Sequence, residues 1–338
     1  MAEKLTGQTI VFQNPPRIIS HASVVGKDEG KGPYGKSFDL VYDNAKCGKA
    51  SWEKAEKKMV SDAIELAMGK GSLAANNIDL LIGGDLLNQI ITANFLARDL
   101  DIPFLGVYGA CATLVEGMAL GAALLDGGFA DCTLIFASSH YQTAERQYRT
   151  PLEYGAQYPP YKQWTVTGAG AYTLGWLGGE VQLTQATFGS VIDLGVNDPN
   201  DMGSAMAPAA ADTIIQHFID LQRGPQDYDL ILSGDLGEVG KSLLIELLLE
   251  KNLSVKKKLQ DCGALIFKGL KGYGAGGSGV GATATMLGSM LIPRLVSGEL
   301  KRVLLVGTGA LLSPVTVKQN ESIPCIAHAL TVEKIPGG

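Results

Sequence analysis

Apolar positions along the chain alternate between two periods. Ala55, Met59, Ala63, Leu66 and Ala67 recur at helical spacing, which predicts an amphipathic helix through this region. The short run "IDLLIGG" at residues 78–84 is apolar at nearly every position, the pattern of a strand buried on both faces of a parallel sheet. A helix over Leu86–Leu100 follows, then a strand at Phe104–Tyr108, a helix after Cys111 and a strand at Thr133–Ser138.

The second half repeats this order. "IDLLIGGDL" at 78–86 returns as "YDLILSGDL" at 228–236, an offset of 150 residues. "LLDGGFADCTLIFASS" at 124–139 aligns with "RLVSGELKRVLLVGTG" at 294–309, an offset of 170. The difference places about 20 extra residues in the second copy, expected near Lys251–Gln260. A duplicated α/β chain of this kind predicts two similar halves, 1–178 and 179–338, each a largely parallel sheet covered by helices. The Ala-, Gly- and Leu-rich segments 112–126 and 281–296 are apolar on most sides and suit an inner helical layer.

Composition narrows the function classes. A net charge of −6 provides no basic footprint for nucleic acid. Five cysteines, at 47, 111, 132, 262 and 325, form no CxxC pair, so neither a disulfide framework nor a metal cluster is expected. The N-terminal "MAEKLTGQTIVFQNPP" lacks the apolar core of a signal peptide. Val303–Val317 is uncharged but shorter than the ~20 residues of a spanning helix, and Ser313-Pro314 interrupts it. A soluble chain is expected, reaching a membrane through partners.

Candidate chemistry centres on Cys111 in "VYGACATLVEGMALGAALLDGGF" at 107–129. The start of a helix favours a thiolate and equally favours a ligand carboxylate, whereas most free cysteines are simply small buried hydrophobes. A strand–Cys–helix turn in a duplicated α/β chain resembles the thiolase superfamily, in which the cysteine accepts an acyl group with help from histidine and from asparagine or a second cysteine. That resemblance implies an α/β thiolase-like duplicated fold, two pseudo-symmetric halves forming a layered αβαβα sandwich.

The helpers are missing where the resemblance puts them. The thiolase histidine falls on Ser278 in "GGSGVGATA" (276–284), and the synthase histidine falls at about Ser233 to Asp235. No asparagine occurs between Leu253 and Leu311. Serine and glycine cannot act as an imidazole base near neutral pH. His217 is expected to be structural and His21 lies in a stretch of uncertain form. In "SIPCIAHALTVE", Cys325 matches the second thiolase cysteine, but the match covers only two residues, and His328 and Ala329 stand where the thiolase turn has glycines.

Four longer stretches resemble one branch, the stage V sporulation protein AD family: "GDLLNQIITANFLARDLDIPFLGVYGACAT" (84–113), "SSHYQTAERQYRTPLEYG" (138–155), "DPNDMGSAMAPAAADTI" (198–214) and "TGALLSP" (308–314). This resemblance implies a non-catalytic protein that binds dipicolinic acid, or its calcium chelate, and helps load it into the developing spore. It also implies membrane-embedded stage V sporulation A proteins as partners, a homodimer, and a peripheral place on the spore inner membrane. The alternative is an acyl transferase using Cys111. No cofactor, metal site or nucleic-acid partner is expected.

Dipicolinate is a flat ring with two carboxylates, so the ligand-binding candidates are Cys111, His140, Ser139, Arg146 and Ser278, with Ser138 and Arg149 beside them. Arginine can grip a carboxylate through two parallel hydrogen bonds. Against this, Arg146 and Arg149 could be surface charges paired with Glu145 or Glu153. Asp85 and Asp235 each close a repeat-equivalent "GD" and read as helix caps more readily than as calcium ligands, since two aspartates fall short of the 6–8 oxygens calcium takes.

Overall fold

The computed structural model describes residues 3–4, 7–148 and 159–336. The first half runs β1 (Thr9–Val11), β2 (Arg17–Val25), α1 (Trp52–Gly71), β3 (Leu80–Asp85), α2 (Ile91–Leu100), β4 (Phe104–Gly106), α3 (Thr113–Asp126), β5 (Cys132–Ser139), α4 (Tyr141–Tyr148) and β6 (Gly168–Gly175). The second runs β7 (Val181–Phe188), α5 (Met202–Leu221), β8 (Leu230–Ser233), α6 (Gly237–Glu250), β9 (Leu259–Asp261), α7 (Val280–Met286), α8 (Ile292–Val296), β10 (Arg302–Ala310), α9 (Pro314–Lys318) and β11 (Cys325–Lys334).

Strands pair in the order β9-β8-β10-β11-β7 in one half and β4-β3-β5-β6-β2 in the other. Within each half three strands are parallel and β6 or β11 runs antiparallel between its neighbours. The sheets join at one corner, where Val181 faces Ile18 and Gln182 faces Arg17. β1 crosses the duplication and adds to β7 of the second sheet. Helices α1 and α2 cover the first sheet, α5 and α6 cover the second, and α3 packs against β3 and β5 on one side and β10 and β11 on the other. That arrangement is the expected five-layer αβαβα sandwich.

Local chemistry explains the elements. Ser51 caps α1 by accepting from Lys54 N–H, and Ala55, Met59, Ala63 and Ala67 are buried, whereas Leu66 remains 36% exposed. In α3, Gly117 and Gly121 let the helix approach Ile82 and Ile135; a Cβ at either would lie 3.2 or 3.1 Å from the nearest atom.

Two sequence expectations change. The extra residues of the second half fall mostly after β9, not at 251–260: β4 begins at 104 and β9 at 259, an offset of only 155. The remainder builds a short helix at Cys262–Ile266 and the strand Gly277–Ser278 that pairs with Trp164–Thr165. The inner helix of the second half is also not uniform. It widens to a π-type turn over Leu287–Leu291, because the Tyr172 hydroxyl sits between the Ala284 carbonyl (2.6 Å) and the Gly288 N–H. Pro293 supplies no N–H to restore the helical ladder beyond it.

Candidate functional site

Cys111 lies in the short helical turn Ala110–Ala112 that joins β4 to α3. Ala110 adopts φ 50°, a left-handed conformation that costs a residue with a side chain. Thr113 holds the turn, its hydroxyl donating to the Ala110 carbonyl (2.7 Å) and accepting from Gly109 N–H (3.1 Å). From the other half, β10 presses against the turn at Gly309, where a Cβ would come within 2.1 Å of the Gly109 carbonyl oxygen. The "ACAT" and "TGALLSP" stretches therefore meet across the two halves.

The decisive partner of the thiol is Asp235. Its carboxylate is fully buried at the end of β8 and accepts from Gly279 N–H (2.7 Å), the Thr308 hydroxyl (2.8 Å) and the Cys111 thiol, with the Ser278 hydroxyl 3.5 Å away. Burial pushes its pKa up, against the pull of these donors. Asp261 fixes the neighbouring turn by accepting from Leu236 N–H, Gly237 N–H and Ala264 N–H, and burial raises its carboxyl to about 7.

The two "GD" aspartates thus diverge. Asp85 caps its own helix, accepting from Leu87 N–H and Ala93 N–H at 2.8 Å each. Asp235 caps nothing in α6, because Asp261 occupies that role and Asp235 turns inward to the cysteine.

A cavity of about 30 Å³ opens beneath Cys111, walled by Leu86, Ala144, Met202, Ala310 and Leu312, with Tyr108, Tyr148, Thr165 and Ser278 as its polar lining. Its size suits about one water molecule. Tyr108 and Leu312 are shared with an outer vestibule of about 300 Å³, lined by Asn88–Ile90, Gly106–Tyr108 and Leu311–Ser313. No lysine, arginine or histidine lines the cavity among the described residues.

Of the predicted ligand residues, the fold brings together Cys111 and Ser278 only. His140 faces away: its Nε2 is 2.7 Å from the Ala45 carbonyl oxygen and its ring packs beside Trp52, while burial lowers its pKa to about 4. The strand end that carries it is correct, but the side chain leaves on the α1 face of the sheet. Ser139 is spent on structure, donating to the Val166 carbonyl (2.6 Å) and accepting from Gly281 N–H (3.0 Å) at the start of α7. Ser138 donates to Glu56. Arg146 is half-exposed and paired with Glu53, not with Glu145, which instead holds the buried Lys162 at 3.2 Å. Arg149 and Glu153 lie outside the described residues.

The other histidines are also distant from the thiol's partners. His217 sits between Thr187 and Tyr228 at 2.6 Å each, with a pKa lowered to about 3 by burial. His21 stacks on Tyr172, and His328 accepts from Gly189 N–H (3.2 Å). Burial holds both near 4. Cys325 is buried with its sulfur 3.4 Å from the Ile323 carbonyl oxygen and does not line the cavity. Among the described residues no group of three or more His, Cys, Asp or Glu side chains is placed to hold a metal ion. Asp235 was the residue sequence reasoning undervalued. Its only signal was position, at the strand end where the synthase histidine falls.

A duplicated five-layer sandwich with a cysteine turn at its centre is the fold of solved thiolase-like condensing enzymes. The solved 3-oxoacyl-[acyl-carrier-protein] synthase III from Aquifex aeolicus VF5 superimposes with a TM-score of 0.56, at 13% identity, covering 94% of this chain and 99% of that one. Cerulenin-bound OleA from Xanthomonas campestri gives 0.60 at 15% identity, over 95% and 98%. A tetronic acid condensing enzyme gives 0.58 at 18%, over 94% and 99%.

The family model for stage V sporulation protein AD matches residues 6–333. The stage V sporulation protein AD of Bacillus subtilis (strain 168) is 50% identical over 335 residues, 99% of each chain. The chain belongs to the stage V sporulation protein AD family, and its role is in sporulation.

Proposed function

We propose that this chain binds dipicolinic acid without catalysis, as a component of the machine that loads dipicolinate into the developing spore. The observation that carries the non-catalytic part is the Cys111–Asp235 pair. A nucleophilic thiol is activated by a cationic neighbour or a base that can leave it charged. Here the thiol donates to a buried carboxylate, and every histidine is committed elsewhere. The family membership supports the sporulation setting, and the ligand rests on the family resemblance.

The cavity sets conditions on the ligand. Its apolar walls suit a flat ring, but about 30 Å³ is too small for one, so Tyr108, Tyr148 or Met202 must swing aside on entry. With Asp235 behind Cys111 and Ser278 and no cation in its lining among the described residues, the charge-balanced calcium chelate suits it better than the free dianion. The partners are the membrane-embedded stage V sporulation A proteins and a second copy of this chain. The edge strand β4, with Leu105 about two-fifths exposed and Tyr108 equally so just beyond it, offers unpaired backbone for that self-association. No described helix is long and apolar enough to cross a membrane, consistent with a peripheral place on the spore inner membrane.

Calorimetric titration of the purified chain with dipicolinate, with and without calcium, tests this reading; no heat or saturation at millimolar ligand overturns it. The retained cysteine turn, with its left-handed Ala110, favours acyl transfer as the second reading. That reading requires a mass gain on Cys111 after incubation with acyl-coenzyme A, absent in Cys111→Ala.

A further inference from the structure

The chain carries a net charge of −6, yet one outer face carries a cluster of positive charge. Five lysines fall between residues 46 and 58, in the loop before α1 and its first turns. Of the two acids in that stretch, Glu56 is buried and Glu53 is already paired with Arg146, while Lys58 pairs with Asp62 one turn further along α1. The neighbouring helix α2 adds Arg98, and α4 adds Arg146.

Between α1 and α2 lies a groove of about 340 Å³, lined by Lys54, Lys57 and Arg98 together with Ile91 and Phe95, with Glu53 as the one acid in its lining among the described residues. Ile91 is 38% exposed and Phe95 47%, high values for large apolar side chains on one helix. The Arg98 guanidinium lies 4.9 Å from the Phe95 ring centroid, and Lys46 lies 5.0 Å over Trp52. Cations thus rest on aromatic rings, with apolar body and charged tip presented together, the combination that suits the boundary between lipid headgroups and acyl chains. Asp99 is the only carboxylate of α2 beside this groove, and it is shared by Lys57 and Arg98.

We propose that the α1–α2 groove seats the protein directly on an anionic lipid surface, with Ile91 and Phe95 entering the headgroup boundary and the surrounding lysines and Arg98 meeting lipid charge. Charge complementarity selects this occupant: an isolated apolar groove would serve any partner, but one ringed by excess cation in an acidic protein is matched to a negative surface. The binding is peripheral and additive, each basic residue near the surface contributing about fivefold. It is independent of the dipicolinate reading.

Co-sedimentation of the full chain with phosphatidylglycerol-containing vesicles, and with pure phosphatidylcholine vesicles as the comparison, tests it. Binding is expected to the anionic vesicles alone, and to weaken at least tenfold as salt rises from about 50 to about 500 mM. Lys54→Glu/Lys57→Glu should lose at least tenfold, and Phe95→Ser several-fold, with melting temperatures and dipicolinate titrations matching the unmodified chain. Absence of binding, equal binding to neutral vesicles, or undiminished binding by the double variant would overturn the proposal. So would a Phe95→Ser effect confined to self-association by analytical ultracentrifugation, which would assign the groove to a second copy.

Discussion

Replacing Asp235 by Asn separates the two readings of Cys111 most directly. In the native chain the thiol donates to this carboxylate, so ionising the sulfur places two negative charges in contact inside the protein. Two unit charges about 4 Å apart repel by about 4 kcal/mol at an effective dielectric of about 20. At about 1.4 kcal/mol per decade, full removal of that repulsion would raise the thiolate fraction up to about a thousandfold. Two effects reduce the gain. Burial works against the charged form of Asp235, and Asn still offers one oxygen to Gly279 N–H or Thr308. We expect at least a tenfold faster alkylation of Cys111 by iodoacetamide at neutral pH in Asp235→Asn. The gain should be largest while both thiols are mostly protonated, and should close as pH rises and the thiol ionises in both proteins. Peptide mass mapping across the pH range reads the site, and Cys111→Ser supplies the background from the other four cysteines, which are all buried. An Asp235→Asn protein that melts normally yet alkylates at the native rate would refute the claim that a charged Asp235 keeps the thiol unreactive.

Ala310→Leu should fill the cavity beneath Cys111 and abolish dipicolinate binding while leaving the fold intact, as read by titration calorimetry and circular dichroism. Tyr172→Phe removes the hydroxyl that bridges Ala284 and Gly288, and should lower unfolding free energy by roughly 1–3 kcal/mol in urea titrations with an unchanged slope. Burial raises the Glu29 carboxyl from 4.5 to about 8, so its stabilising contribution is complete below its unfolded pKa and drains away as pH rises towards 8. Glu29→Gln cannot titrate there, and its stability relative to the native chain should improve by about 1.4 kcal/mol per pH unit between roughly pH 5 and 8. A difference independent of pH would show that Glu29 is not buried as described.

Local pattern alone determined much of this protein. The period of apolar residues marked the parallel strands "IDLLIGG" and "YDLILSGDL", and their repeat implied two similar α/β halves, because hydrophobic periodicity is a property of neighbouring residues; the layered sandwich came from the resemblance to the thiolase superfamily. The apolar composition of 112–126 likewise placed α3 between two sheets. Side-chain partners were a different matter. Asp85 and Asp235 share a local sequence, yet one caps its helix and the other meets a cysteine 124 positions earlier in the chain. His140 and Ser139 end the expected strand, but which face each side chain takes depends on Trp52 and Gly281, from elements far away in sequence. Arg146 found Glu53 on another helix and never reached the cavity. A buried polar group takes whichever donor or acceptor the packed fold brings within about 3 Å, and only the tertiary structure sets that distance.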